Sequence, residues 1–272
     1  MDDRPIGIFD SGFGGLTVVR ALLDLLPDEH LVYVGDTGRY PYGSRAPEEV
    51  RLFAEQITTA LVDDHDVKMV VVACNTAASV ALDSLRARFR VPILGVIEPG
   101  LRAAMKATRN GRVGVIGTVG TIASGAYQRA AAALRASAEL SCAACPGFVE
   151  FVERGEVDSD QVHVLAERLL SPLQASAVDT LLLGCTHYPY LARTIGDVMG
   201  REVVLVSSAE ETAFDVRAVL QATGLSRLAT GPARHRFLSS GDVAHFAEMG
   251  RRLLGQELTV AEAIDFCRHA SA

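Results

Sequence analysis

Two cysteines carry the chemistry available to this sequence. Cys74 follows the apolar run Met69-Val70-Val71-Val72-Ala73 and precedes Asn75-Thr76-Ala77-Ala78. Cys185 follows Thr180-Leu181-Leu182-Leu183-Gly184 and precedes Thr186-His187-Tyr188-Pro189. Two thiols on opposite faces of a small molecule can invert a carbon that bears an acidic proton: one thiolate removes the proton, and the other thiol returns one from behind. A thiol's ordinary pKa of about 8.5 makes either protonation state accessible near neutrality. His187 stands two residues from Cys185 and can hold or shuttle its proton. Asp10, ending an earlier apolar run, can do the same for Cys74. The plainer readings are a histidine satisfied within its loop and an acid capping a glycine-rich turn. Around these lie short donors, Ser11, Asn75, Thr76, Thr118, Thr121 and Thr186, with the amides of Gly12 and Gly43. Such groups hold carboxylates at helix N-termini, and a carboxylate so held makes its α-proton easier to remove.

The elements that must position these groups follow from the runs themselves. Each cysteine run is too short for a helix and lacks alternation, so it reads as a strand buried on both faces. Each cysteine then ends a parallel strand just before a helix, the place where open α/β sheets put their ligands. Such a helix N-terminus would lower the thiol pKa. Ile6-Gly7-Ile8-Phe9 and Leu31-Val32-Tyr33-Val34 read as the first two strands, and Ile93-Leu94-Gly95-Val96 as the fourth. Pro47-Glu48-Glu49 opens a helix with proline and acids at its positive end. At Glu98-Pro99-Gly100 the pattern breaks and starts again, with strands at Val113-Gly114-Val115-Ile116, Leu140 to Ala143, Thr180 to Gly184 and Val203 to Val206. Ile6 to Val113, Leu31 to Leu140 and Cys74 to Cys185 are 107, 109 and 111 residues apart. This near-constant offset predicts a duplicated unit: two similar α/β domains, each an open parallel sheet with flanking helices, and the site in the cleft between them. The tail carries a strand at Phe237-Leu238-Ser239 and returns most simply to the first unit. The domains are then 1–97 plus 207–272, carrying Cys74, and 98–206, carrying Cys185.

Composition bounds the rest. The 272 residues are 49% hydrophobic and 22% charged, an ordinary globular profile. A formal net charge of −7 argues against nucleic acid as a partner. No apolar stretch reaches membrane-spanning length and no signal peptide is apparent. Five cysteines without a disulfide pattern suit a reducing, cytoplasmic setting. No cofactor and no metal is expected. Pyridoxal phosphate needs a Schiff-base lysine, and the two lysines, Lys68 and Lys106, stand at the wrong end of the Cys74 strand and in a surface helix. Gly12-Phe13-Gly14 with Asp36 follows the order of a dinucleotide site, but Thr17 occupies the third glycine position and Asp10 would repel a pyrophosphate. Cys74, Cys185 and His187 lack the close ligand spacing of a zinc site. Cys142-Ala143-Ala144-Cys145 has redox spacing without a clear helix start, so both read as structural, and Cys267 as packing.

Taken in order, Ile8-Phe9-Asp10-Ser11-Gly12-Phe13-Gly14-Gly15-Leu16, Gly35-Asp36-Thr37, Tyr40-Pro41-Tyr42-Gly43, Ala73-Cys74-Asn75-Thr76-Ala77 and Gly184-Cys185-Thr186-His187-Tyr188-Pro189 resemble the glutamate racemases of the cofactor-independent aspartate/glutamate racemase family. Gly117-Thr118 through Ser124 and Cys145-Pro146 with Phe148 and Glu153 add to the likeness, which covers residues 6 to about 206. The resemblance implies interconversion of L- and D-glutamate, with D-glutamate destined for peptidoglycan, and a homodimer of variable arrangement. It makes Cys74 the base toward the D-isomer and Cys185 the base toward the L-isomer. Asp10, Ser11, Tyr42, Gly43, Asn75, Thr76, Thr186 and His187 would bind the substrate, with Asp36 and Glu153 in support. An aspartate or hydantoin racemase, a two-lobed amino-acid sensor and a thiol-redox protein are the competing readings. Substituting either cysteine separates the sensor from the enzyme, and oxidative joining of Cys74 to Cys185 would mark the redox protein.

Overall fold

The computed structural model describes residues 1–258, 260–266 and 268; Cys267 lies outside them. Its first sheet is built on β1 (Ile6–Asp10), β2 (Leu31–Gly35), β3 (Met69–Val72) and β4 (Ile93–Gly95), and its second on β5 (Arg112–Gly117), β6 (Glu139–Ala144), β7 (Thr180–Gly184) and β8 (Val204–Val206). In the first, β1 lies between β2 and β3; in the second, β5 lies between β6 and β7. The spatial orders β2-β1-β3-β4 and β6-β5-β7-β8 are therefore the same, and every pairing is parallel. This is what the constant sequence offset predicted. The tail adds β9 (His235–Ser239) beside β2 and β10 (Glu262–Ala263) beside β9, so the first sheet has six strands against the second sheet's four.

The strands are buried because helices cover both faces. β1, β2, β3 and β7 are buried at every residue. The helix α1 (Leu16–Leu25) follows the glycine-rich turn after β1, and α2 (Pro47–Asp63) starts at the proline as expected, with Glu49 reaching back to the Ala46 amide. The helix α3 (Asn75–Arg88) starts directly after Cys74.

Several elements depart from the sequence reading. Glu98-Pro99-Gly100 is not a break: it lies in the first turn of α4 (Ile97–Ala107), where proline's missing N–H costs nothing because the first four amides of a helix are unpaired anyway. Two short helices, α5 (Val119–Ala123) and α6 (Ala126–Ala133), follow β5, and α7 (Phe148–Glu153) follows β6. Between them, α5 and α7 are five and six residues long, below the length at which periodicity can be read. The helix α8 (Asp160–Ala175) runs through Pro172. Cys185 is followed by a 3₁₀ turn (Tyr188–Leu191) and only then by α9 (Ala192–Met199), so unlike Cys74 it does not cap an α-helix. The chain then runs through α10 (Ala209–Thr223) and α11 (Val243–Leu254). Among the described residues no helix is long and apolar enough to cross a membrane.

Candidate active site

The carboxyl ends of β1, β3, β5 and β7 converge on one cavity. Cys74 and Cys185 both line it, one from each sheet, and are 4% and 6% exposed. They reach it without being freely open to solvent, as a proton-transfer site between walls requires. Ser11, Tyr42, Gly43, Asn75, Thr76, Thr186 and His187 also line the cavity.

Asp10 lies behind this surface, fully buried. One of its oxygens accepts from the Gly12 amide (2.9 Å), the turn-capping role that was the plainer reading. The other accepts from the Thr186 hydroxyl (3.1 Å) and so ties the two walls together. The Gly12 amide, expected among the free donors, is thereby engaged. Tyr42 lines the cavity with its ring, but its hydroxyl donates to the buried Asp36, which also holds Arg39 (2.8 Å). Asp36 thus fixes the loop that presents Tyr42 and Gly43.

The two sulfurs sit in unlike surroundings. The Cys74 sulfur accepts from the Ala77 amide at 3.5 Å, capping α3, and contacts the Ser11 hydroxyl at 3.8 Å. Burial, reinforced by the charge of Asp10, pushes this thiol up to about 12 despite those two contacts. The expected lowering by the helix N-terminus is therefore overridden: the cost of desolvating a thiolate exceeds the gain from one amide. The Cys185 sulfur instead faces His187 Nδ1 at 3.9 Å, and His187 Nε2 is 2.6 Å from a Glu153 carboxylate oxygen. Burial works against the imidazolium, but the hydrogen bonds with Cys185 and Glu153 outweigh it and raise His187 to about 10. A positive charge thus stands beside the second sulfur, the natural partner of a thiolate there.

Two residues given no site role by the sequence reading, Tyr40 and Cys145, belong to this surface. Tyr40 lines the cavity beside His187, ring centroids 6.0 Å apart, and its buried hydroxyl has no hydrogen-bond partner. Asn75 Oδ1 is likewise buried without a partner, while its Nδ2 donates to the Tyr127 hydroxyl at 3.0 Å. Two unpaired polar atoms at one cavity are the signal of a polar ligand. Cys145, read as structural, lines the cavity, and burial together with the nearby Cys185 charge pushes its thiol up to about 12; Cys142 does not line it. Cys74, Cys142, Cys145 and Cys185 are free thiols. Among the described residues no group of His, Cys, Asp and Glu side chains is arranged to hold a metal. Lys68 is buried just before β3, at the amino-terminal end of the first sheet's strands and away from the cavity, paired with Glu29 at 2.5 Å.

Comparison with known proteins follows this geometry. The family model for Asp/Glu/hydantoin racemases matches residues 7–213. A glutamate racemase of Parafrankia sp. is 54% identical over 260 residues, covering 95% of this chain and 94% of the relative. The crystal structure of glutamate racemase isoform RacE1 from Bacillus anthracis superposes with a TM-score of 0.92 at 40% identity, covering 97% and 98% of the two chains. That of the Francisella tularensis glutamate racemase in complex with D-glutamate gives 0.91 at 31% identity, covering 98% and 100%.

Proposed function

Because this chain belongs to the Asp/Glu/hydantoin racemase family, we propose that it interconverts L- and D-glutamate by a two-thiol mechanism in which Cys74 and Cys185 act on opposite faces of Cα. Toward the L-isomer, Cys185 as thiolate takes the α-proton with the His187 imidazolium beside it. Cys74, kept neutral by burial, then delivers a proton to the other face. Toward the D-isomer the roles reverse. Ser11, Tyr42, Gly43, Asn75, Thr76, Thr186 and His187 bind the substrate, and Asp10 acts from behind by fixing Thr186 and the Gly12 turn. The Glu153–His187–Cys185 chain follows the logic of a base oriented by a third group. The two lobes, 1–97 with 207–272 and 98–206, close on the substrate, and the chain works as a homodimer in the cytoplasm, supplying D-glutamate for peptidoglycan.

The observation that supports this reading best is a single cavity with one thiol on each wall, in opposite electrostatic settings. The glutamate assignment draws on the relatives' activity and on the D-glutamate complex of the Francisella tularensis enzyme.

The test is optical: purified protein with L-glutamate and, separately, L-aspartate, without added cofactor, followed by circular dichroism. Glutamate should lose its signal and aspartate should keep it. Cys74→Ala and Cys185→Ala should each abolish racemisation while far-UV spectra stay unchanged. Full racemisation by either single variant overturns the two-base assignment, and inversion of aspartate in preference to glutamate overturns the substrate.

A further inference from the structure

We propose that Tyr127 is a positioning residue of this active site, orienting Asn75 on one wall and bracing the strand end that carries Cys185 on the other. The inference rests on the racemase reading above, in which Asn75 binds substrate. Tyr127 belongs to α6, on the second sheet's side, and its ring is 1% exposed. It is absent from the residues lining the cavity, so any influence on the reaction passes through its neighbours.

Two features of its hydroxyl's surroundings define the role. The first is the hydrogen bond from Asn75 Nδ2, at 3.0 Å across the boundary between the sheets. An amide has one donor group and one acceptor. With Nδ2 held by Tyr127, Asn75 Oδ1 is left as a buried acceptor with no partner, at a residue that lines the cavity. A donor on the substrate is what such an atom accommodates. The second is the tight space at Gly184, immediately before Cys185. A β-carbon there would lie 2.7 Å from the Tyr127 oxygen and 2.6 Å from the Ile116 carbonyl, so only glycine fits. The same oxygen therefore bonds the residue after Cys74 and fills the space that a side chain would take at the residue before Cys185. Burial holds the phenol protonated well above its ordinary range, which keeps this oxygen neutral.

The test is a double-mutant cycle on binding. D-glutamate affinity is measured by calorimetry in four proteins, each also carrying Cys185→Ala so that turnover does not change the ligand. These are the parent, Tyr127→Phe, Asn75→Ala and the combination. Phenylalanine keeps the ring and its packing, so only the hydroxyl is removed. The expected result is a roughly 3- to 10-fold weaker Kd for Tyr127→Phe, the value of one hydrogen bond. In the Asn75→Ala background the same substitution should change Kd by less than about twofold, because coupled residues do not add. An equal loss in both backgrounds, or an unchanged Kd with Asn75 present, overturns the proposal. A tyrosine that only supports the fold would move the melting temperature and give the equal-loss result. Racemisation by the otherwise unaltered protein tests the two-thiol reading separately, so failure of one is distinguishable from failure of the other.

Discussion

Replacing Glu153 with glutamine tests the electrostatic asymmetry on which the proposed mechanism depends. The carboxylate is 2.6 Å from His187 Nε2, and that bond together with the Cys185 contact raises the imidazole to about 10 against the opposing effect of burial. Glutamine keeps the size and a hydrogen-bonding oxygen but removes the charge. A hydrogen bond to a charged group is worth about 1.5–3 kcal/mol, and one pKa unit is about 1.4 kcal/mol. His187 should therefore titrate roughly one to two units lower, near 8 to 9. The assay is a ¹⁵N-imidazole NMR titration of the free enzyme. In stability, a raised histidine pKa contributes fully below its ordinary value of 6.5 and loses that contribution as pH rises through about 10. The variant should lose its share by roughly pH 8 to 9, and the His187 contribution should vanish from both proteins above pH 10. Turnover of L-glutamate should fall about tenfold or more, because the thiolate on the second wall loses part of its support. If the His187 midpoint does not move, Glu153 is not what holds the proton there, and the asymmetric assignment of the two thiols loses its basis.

Two further substitutions separate the site from its scaffold. Gly14→Ala would put a β-carbon 2.6 Å from His187 Nδ1 and closer still to the Thr186 hydroxyl; displacement of the Cys185 wall should lower kcat by about 100-fold with little change in melting temperature, and near-normal kcat would show that this wall tolerates movement. Lys68→Met leaves Glu29 buried without its cation at the amino-terminal end of the strands, remote from the site; stability should fall by about 3–5 kcal/mol, seen as a melting temperature roughly 10 °C lower, while kcat at 25 °C stays within about twofold.

What the sequence disclosed was set by residues whose local pattern has one structural meaning. The runs Met69–Val72 and Thr180–Gly184 could be little other than buried parallel strands, and Cys74 and Cys185 at their ends followed directly. The short helices after β5 and β6 were not legible because five or six residues carry no readable period. Glu98-Pro99-Gly100 misled because proline and glycine mark a break in isolation, whereas a first helical turn accepts proline. Tyr40 and Cys145 stand within motifs that carry the resemblance but are given no site role by it, whereas Tyr127 joins the site only through tertiary placement. The direction of the Cys74 pKa was misread for a related reason. A helix N-terminus is visible in sequence, but the depth of burial that overrides it is a property of the whole fold.

A racemase acts on mirror images of equal free energy, so its equilibrium constant is one and kcat/KM must be the same in both directions. The protein, built from L-residues on two unlike walls, cannot offer mirror-image surroundings to the two thiols. Cys74 is held neutral by burial against Asp10, whereas Cys185 faces an imidazolium. The difference must therefore appear in kcat and KM separately, compensating in their ratio. In the proposed two-thiol mechanism, protons set the same condition on turnover: after each conversion the proton would lie on the opposite thiol and would have to be exchanged before the same enantiomer could react again. The His187–Glu153 pair gives Cys185 a route for that exchange, whereas the Ser11 hydroxyl and the Ala77 amide are the only hydrogen-bonding groups at the Cys74 sulfur among the described residues. Resetting is thus easier on the second wall than on the first. The duplicated fold places one thiol on each wall, and the divergence of the two strand ends gives the two sulfurs unlike hydrogen-bonding partners.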